Sequence, residues 1–123
     1  MCGILGLSVE LGSEMIRSPE LELEIGERFD MAVDMLSHRG PDGSGSKMFF
    51  DAGIFLGHTR LAIQDLSPAG AQPMVSKDKK LVITFNGEIY NFPKLKGELI
   101  NLGYVFFSNT DTEVILYLYA EYG

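Results

Sequence analysis

Apolar and polar residues alternate along this chain with two different periods, and each period predicts one kind of secondary structure. Short apolar runs that end at glycine, proline or asparagine turns are typical of strands. Five such runs predict strands: Cys2–Val9, Lys47–Phe50, Ile54–Gln64, Leu81–Phe85 and Tyr104–Phe107. Because side chains alternate across a strand, His58 and Arg60 are expected on one face of the third run. The opposite face of that run is expected to carry Thr59, Leu61 and Ile63.

Three other segments show helical spacing and helix boundary signals. The first begins at Ser18-Pro19-Glu20, with a hydroxyl cap and a proline in the first turn, and ends in the turn His38–Pro41. Its predicted apolar face carries Ile25, Phe29, Ala32 and Leu36. The second helix runs from Pro93 to Gly103, and the third begins with the capping box Thr110–Glu113. Two loops rich in glycine or proline separate the elements: Ser37–Ser46 and Asp65–Pro73.

Composition places this chain among ordinary globular proteins and excludes several partners. It has 123 residues, a hydrophobic fraction of 46% and a net charge of −7, from 10 basic and 17 acidic residues. The length fits a single α+β domain with strands that are mostly antiparallel. The acidic balance argues against nucleic acid and against an anionic membrane surface. The single cysteine excludes an intrachain disulfide and favours a reducing compartment, so we expect a cytoplasmic protein.

The single cysteine is the second residue of the chain. Removal of the initiator methionine would leave Cys2 with its thiol and a free α-amino group on the same carbon. An α-amino group titrates near 7.7–8.0, so part of it is neutral at pH 7 and can accept the thiol proton. The alternative is a small apolar residue at the start of a buried strand. Position alone leaves both interpretations open.

Five further residues each allow a chemical and a structural interpretation. Asn86 and Gly87 could donate two hydrogen bonds to an oxyanion, although Asn-Gly is also a common turn. Arg60, within a strand, could hold a carboxylate or form a structural ion pair. Asp111 and Glu88 could bind an ammonium group, and an acid in a first helical turn also complements the helix dipole. The two histidines are 20 positions apart without a cluster of other ligands, so no metal site is predicted.

The order of these residues along the chain is more specific than any one of them. Six segments carry it: Met1-Cys2-Gly3-Ile4, His38-Arg39-Gly40-Pro41-Asp42, Gly57–Ile63, Gln72-Pro73, Asn86–Asn91 and Thr110–Val114. Together they resemble the class II glutamine amidotransferases, and within that class the glutaminase domain of asparagine synthetases. The resemblance extends from residue 1 to about residue 122.

The resemblance implies a fold and a reaction. The fold would be a four-layer αββα sandwich of the N-terminal-nucleophile hydrolase type, truncated at its end here. Cys2 would attack the side-chain amide of glutamine, with Asn86 and Gly87 as the oxyanion hole. Arg60 would bind the substrate carboxylate, and Glu88 and Asp111 would lie near its amino group. Leu61 and Ile63 would line the pocket through their backbone.

The resemblance also carries expectations about the rest of such a protein. Residues 1–123 would be a partial N-terminal glutaminase domain whose synthetase domain is absent from this chain. The glutaminase would need no cofactor or metal, whereas ATP and Mg would serve the synthetase domain, and a homodimer is expected. Two alternatives stay open. One is an amidotransferase of the same class with another acceptor, such as a sugar acid, and the other is a catalytically silent binding or assembly module.

Overall fold

The computed structural model describes residues 1–9, 18–63 and 65–123. In these ranges the helices and strands follow one another in this order: β1 Gly3–Ser8, α1 Pro19–Asp34, β2 Gly43–Phe49, β3 Ile54–Arg60, β4 Met74–Val75, β5 Val82–Ile83, α2 Phe92–Asn101 and α3 Asp111–Tyr122. Short 3₁₀ turns lie at Ser37–Arg39, Phe50–Ala52 and Pro68–Gly70.

A three-stranded antiparallel sheet positions the N-terminus of the chain. Its order is β1-β3-β2, so β3 is central and pairs with both neighbours. In this register Gly3 lies opposite Thr59 and Ile4 opposite His58, so one further step places Cys2 beside Arg60. Paired residues of antiparallel strands point to the same face. Cys2, His58 and Arg60 therefore belong to one face of the sheet.

Helix α1 covers the other face of this sheet. Its start at Ser18 is confirmed, because the Ser18 hydroxyl accepts a hydrogen bond from the Leu21 N–H at 3.2 Å. Phe29 and Val33 are buried against Phe55 of β3, and the Phe29 and Phe55 rings lie 5.7 Å apart. Burial of side chains of this size stabilises the fold by about 1.5–3 kcal/mol each. This cluster therefore packs β3 against α1 on the face opposite Cys2 and Arg60.

The two C-terminal helices form a second apolar cluster. Leu99 of α2 is buried against Val114 and Tyr117 of α3. The predicted Tyr104–Phe107 strand is wrong, because this segment is irregular and its aromatic rings pack on a helix instead. The rings of Tyr104 and Phe106 each lie 5.0 Å from that of Tyr117. The apolar run therefore caps the α2–α3 cluster and pairs with no strand of the described residues.

Several predicted boundaries also need correction. Strand β2 begins at Gly43, inside the loop predicted for Ser37–Ser46, since pairing with β3 recruits these glycines and serines. Strand β3 ends at Arg60, and Gln64, the end predicted for that run, lies outside the described residues. Helix α1 ends at Asp34, before the predicted turn at 38–41. The Leu81–Phe85 run forms only the short strand β5, which pairs with the unpredicted strand β4.

The architecture is a mixed α/β domain with antiparallel pairing in both of its described sheets. Among the described residues no helix is both long and apolar enough to cross a bilayer.

Candidate active site

One cleft collects every residue that the sequence singled out for chemistry. Its volume is about 330 Å³, within the range of small-molecule sites. Strand β3 and the loop after it form one wall, the segment after β5 a second, and the start of α3 a third. The predicted site residues that line this cleft are Cys2, Arg60, Leu61, Ile63, Asn86, Gly87, Glu88 and Asp111.

Cys2 is held at the cleft by contacts of its side chain and of its backbone. Its Sγ accepts a hydrogen bond from the Leu61 N–H at 3.3 Å and lies 3.7 Å from the Leu61 carbonyl oxygen. The Cys2 carbonyl accepts from Nε of Arg39 at 3.2 Å. Next to it, the Gly3 N–H donates to the buried Thr59 hydroxyl at 3.1 Å. Met1 also lines the cleft, so its removal would enlarge the space beside the thiol.

The Arg60 guanidinium reaches the cleft from the end of β3. It donates to the carbonyl oxygens of Ser67, at 2.8 Å, and Asp65. A guanidinium has five N–H donors, so these two bonds leave donors for a further acceptor. Gly70 makes room for this arrangement, because a Cβ at position 70 would lie only 2.3 Å from Nη2 of Arg60. The loop therefore orients the cation while leaving part of its fork available.

The start of α3 brings a buried carboxylate to the opposite wall. Thr110 caps this helix, as predicted, by accepting from the Glu113 N–H at 3.3 Å. The next residue, Asp111, accepts from the Ile89 N–H at 2.9 Å. Glu113 does not close a reciprocal capping box. Its carboxylate accepts from the backbone N–H groups of Phe107 and Ser108, at 3.0 and 2.7 Å, and so anchors the chain that enters α3.

Asn86 and Gly87 follow the short strand β5 and line the cleft together with Glu88. The segment is fixed just before them, where the Phe85 N–H donates to Oε1 of Gln72 at 2.6 Å. A Cβ on Gly87 would lie 2.6 Å from the Phe85 ring, so the backbone here needs glycine for close packing.

Leu61 and Ile63 extend the β3 wall of the cleft. Leu61 is half-buried and bonds to Cys2 through its backbone, while Ile63 is exposed. Between them, the Ala62 N–H donates to Oδ2 of Asp42 at 2.8 Å. These contacts hold an irregular segment in place after the sheet pairing has ended.

His58 also lines the cleft, and its deep burial could not be predicted from the sequence. It is 1% exposed, and neither ring nitrogen has a hydrogen-bond partner among the described residues. Burial lowers the pKa of His58, with a smaller lowering from the Arg60 charge, and a backbone group of Phe85 opposes both. The ring is therefore neutral at pH 7. No group of three or more metal-ligating side chains occurs within the described ranges.

Three residues that support the site were not singled out for chemistry: Asp65, Gly70 and Gln72. Asp65 accepts from the N–H groups of Ser67, at 2.8 Å, and Asn109, at 2.9 Å. Hydrogen bonds from Ser67 and from the Asn109 backbone lower the pKa of Asp65 to about 2. Gln72-Pro73 was among the segments that carry the resemblance, but without a role, and the glycine and proline content around Asp65 and Gly70 predicts a loop and nothing about its contacts.

The cleft combines groups of complementary chemistry. The lining includes the Cys2 thiol and the Arg60 guanidinium, the acidic residues Glu88 and Asp111, and the Asn86-Gly87 pair. A small zwitterion that carries an amide would find a cation for its carboxylate and an anion for its ammonium group. The same cleft offers a nucleophile and, at Asn86 and Gly87, groups of the kind that donate hydrogen bonds to an amide carbonyl.

Comparison with known proteins agrees with this chemistry. A family model described as a glutamine amidotransferase domain matches residues 1–123. A probable glutamine-hydrolysing asparagine synthetase of Schizosaccharomyces pombe is 44% identical over the whole chain, and a nodule asparagine synthetase of Pisum sativum is 40% identical. The amidase chry2 of Gibberella zeae is 35% identical, also over the whole chain. The chain spans 18–20% of the length of these relatives. It belongs to the glutamine amidotransferase domain family.

Proposed function

We propose that this domain hydrolyses glutamine to glutamate and ammonia through a thioester on Cys2. One observation carries the proposal: Cys2, Arg60, Asp111 and the Asn86-Gly87 pair line a single cleft although they are far apart in the chain. Each residue has a common structural interpretation when it stands alone. Their convergence on a site of about 330 Å³ is what a small amide substrate requires.

Recognition would use both charges of the free amino acid. Arg60, already bonded to two loop carbonyls, directs its remaining donors to the α-carboxylate. Asp111 and Glu88 attract the α-ammonium group. The backbone of Leu61 and Ile63 lines the wall between these groups and the thiol.

The reaction would follow in two halves after Met1 is removed. The α-amino group of Cys2 takes the thiol proton, and Sγ forms a bond to the amide carbon. The Asn86 side chain and the Gly87 N–H stabilise the resulting oxyanion, and removing one such donor typically costs about 2.7–4 kcal/mol. The C–N bond then breaks, and ammonia leaves with the proton. Water attacks the thioester, the C–S bond breaks, and glutamate leaves while the thiol regains a proton.

The relatives suggest a larger context for this reaction. Several are named glutamine-hydrolysing asparagine synthetases, which supports transfer of the ammonia to aspartate in a synthetase domain that uses ATP and Mg. In that context we propose the four-layer N-terminal-nucleophile fold, a cytoplasmic location, assembly as a homodimer and a glutaminase half without cofactor. The amidase chry2 carries a different name from the asparagine synthetases, so a second candidate stays open, an amidotransferase with another carboxylate acceptor.

Intact mass spectrometry and an electrophilic glutamine analogue test the proposal. We expect the purified chain to lack Met1 and to gain one adduct, at Cys2, from a glutamine analogue that carries an electrophilic ketone. Glutamine should slow this labelling, and Cys2→Ala should abolish it. Equal labelling of the wild-type chain and Cys2→Ala, or retention of Met1 in a chain that still labels, would refute the mechanism.

A further inference from the structure

The side-chain amide of Gln72 forms hydrogen bonds through both its nitrogen and its oxygen. Its Nε2 donates to the Thr112 hydroxyl oxygen at 3.0 Å, and its Oε1 accepts from the Phe85 N–H at 2.6 Å. Gln72 is half-buried and lines the cleft, but it was not among the residues expected to act on glutamine. One planar amide therefore joins two segments that are far apart in the chain.

Each of these two residues is adjacent in the chain to a residue proposed to bind the substrate. Phe85 immediately precedes Asn86, and Thr112 immediately follows Asp111 in the first turn of α3. Gln72 thus bridges the proposed oxyanion donors and the carboxylate proposed for the substrate ammonium group. The separation of these two groups along the cleft must match the length of the substrate side chain.

The chain around Asn86 is tied to the α3 side at two points, because the Ile89 N–H also donates to Asp111 at 2.9 Å. Strand β5 ends at Ile83, so the pairing of β4 with β5 does not extend to Phe85 or Asn86. The hydroxyl of Thr84 reaches the Gly57 carbonyl only at 3.5 Å, the outer limit for a hydrogen bond. The 2.6 Å bond to Gln72 is the shorter contact by far. Gln72 is therefore the hydrogen-bond partner of the residue directly before Asn86.

The backbone of Gln72 is itself fixed against the sheet. A Cβ at Gly45 of β2 would lie 2.5 Å from the Gln72 carbonyl oxygen, so glycine at this position lets the loop lie directly on the strand. Gly45 is paired with His58 of β3, which also lines the cleft. Gln72 is therefore supported from the same rigid sheet that positions Cys2 and Arg60.

We propose that Gln72 is a positioning residue that sets the distance between the oxyanion donors and the ammonium-binding carboxylate, and so selects substrates with the side-chain length of glutamine. This proposal rests on the glutaminase function proposed above. It predicts a specific kinetic defect. Misaligned donors weaken stabilisation of the transition state more than ground-state binding, so kcat falls while KM changes little.

Three substitutions separate positioning from general stability. Gln72→Met removes both hydrogen bonds at similar size, Gln72→Glu offers oxygens to the Phe85 N–H and the Thr112 O–H, and Thr112→Val breaks only the link to α3. Val33→Ala, in the cluster behind the sheet, controls for loss of stability. For each variant we would measure kcat and KM for glutamine, the rate of Cys2 labelling by the glutamine analogue and by iodoacetamide, and Tm.

We expect Gln72→Met to lower kcat by about 10–100-fold, the effect of a displacement on the order of 1 Å. Labelling by the analogue should slow in parallel while iodoacetamide still reacts normally, and Gln72→Glu should recover most of the loss. Thr112→Val provides the same test if Gln72→Met does not fold, and should slow the analogue but not iodoacetamide. A fall in Tm with unchanged kcat, or a defect equal to that of Val33→Ala, would overturn the proposal. A wild-type chain that the analogue does not label would instead refute the glutaminase function itself.

Discussion

Gly70→Ala gives a sensitive test of how Arg60 is placed. The added Cβ would lie 2.3 Å from Nη2 of Arg60, 3.0 Å from its Cζ and 3.1 Å from Cγ2 of Thr110. Ordinary carbon–nitrogen contacts need at least 3.4 Å, so the guanidinium must move by about 1 Å. Such a shift stretches the 2.8 Å bond from Nη1 to the Ser67 carbonyl and displaces the guanidinium from its position in the cleft lining.

The expected magnitude follows from that displacement. One charge-assisted hydrogen bond contributes about 1.5–3 kcal/mol, which corresponds to roughly 10–150-fold in binding. We therefore expect Gly70→Ala to raise KM for glutamine by at least about tenfold. The substitution leaves the charge of Arg60 unchanged. The displaced nitrogen is the far end of a flexible side chain, so the loss of binding free energy should exceed the loss of folding free energy.

Gly43→Ala is the matched control. Gly43 lies opposite Arg60 in the β2–β3 pairing, and a Cβ there would meet no atom within 4 Å. Steady-state kinetics of glutamate release from both variants, with Tm from calorimetry, make the comparison. The same KM in Gly70→Ala, Gly43→Ala and the wild-type chain would show that the guanidinium does not hold the substrate carboxylate.

Three further predictions concern charged or buried side chains of the same cleft. Arg60→Leu should weaken glutamine binding by much more than it lowers Tm, and an equally large loss of Tm would point to a purely structural arginine. Asp65 has its pKa lowered from 3.8 to about 2, so it contributes stability above pH 3.8 that is lost as the pH falls towards 2. Asp65→Asn should therefore remove part of the acid sensitivity between pH 3.8 and 2 in urea titrations. The pKa of buried His58 is lowered from 6.5, so the folded chain should lose stability as the pH falls below 6.5, and His58→Gln should flatten that slope. An unchanged slope would mean that His58 has the same pKa in the folded and in the unfolded chain.

Local sequence patterns were sufficient for features that a few neighbouring residues determine. The hydroxyl caps of Ser18 and Thr110 were predicted and are present, because capping depends on one side chain and the next turn. Gly103 ends the second helix region with φ at 98°, a conformation that favours glycine. These features need no knowledge of the tertiary fold.

Features that depend on distant partners could not be predicted in this way. The Tyr104–Phe107 run has the composition of a strand, yet its rings pack on Tyr117 and no strand pairs with it among the described residues. Conversely, Gly43–Ser46 lacks apolar residues but becomes a strand because β3 lies beside it. Tertiary pairing and packing override weak local preference in both cases.

The candidate site shows the same division. The residues that carry the chemistry could be named from the order of their motifs, and all of them line the cleft. The residues that hold these groups in place could not be predicted, because the hydrogen bonds between Gln72 and Thr112 and between Asn109 and Asp65 span 40 and 44 positions. Neither side chain belongs to a local pattern that predicts its partner.

Product analysis of the chain that lacks Met1 tests the central claim most directly. Incubated with glutamine, it should release glutamate and ammonia in equal amounts, and Cys2→Ala should release neither. The same rate of glutamate release from Cys2→Ala would contradict the account, and so would a wild-type chain that releases no glutamate although the glutamine analogue labels Cys2.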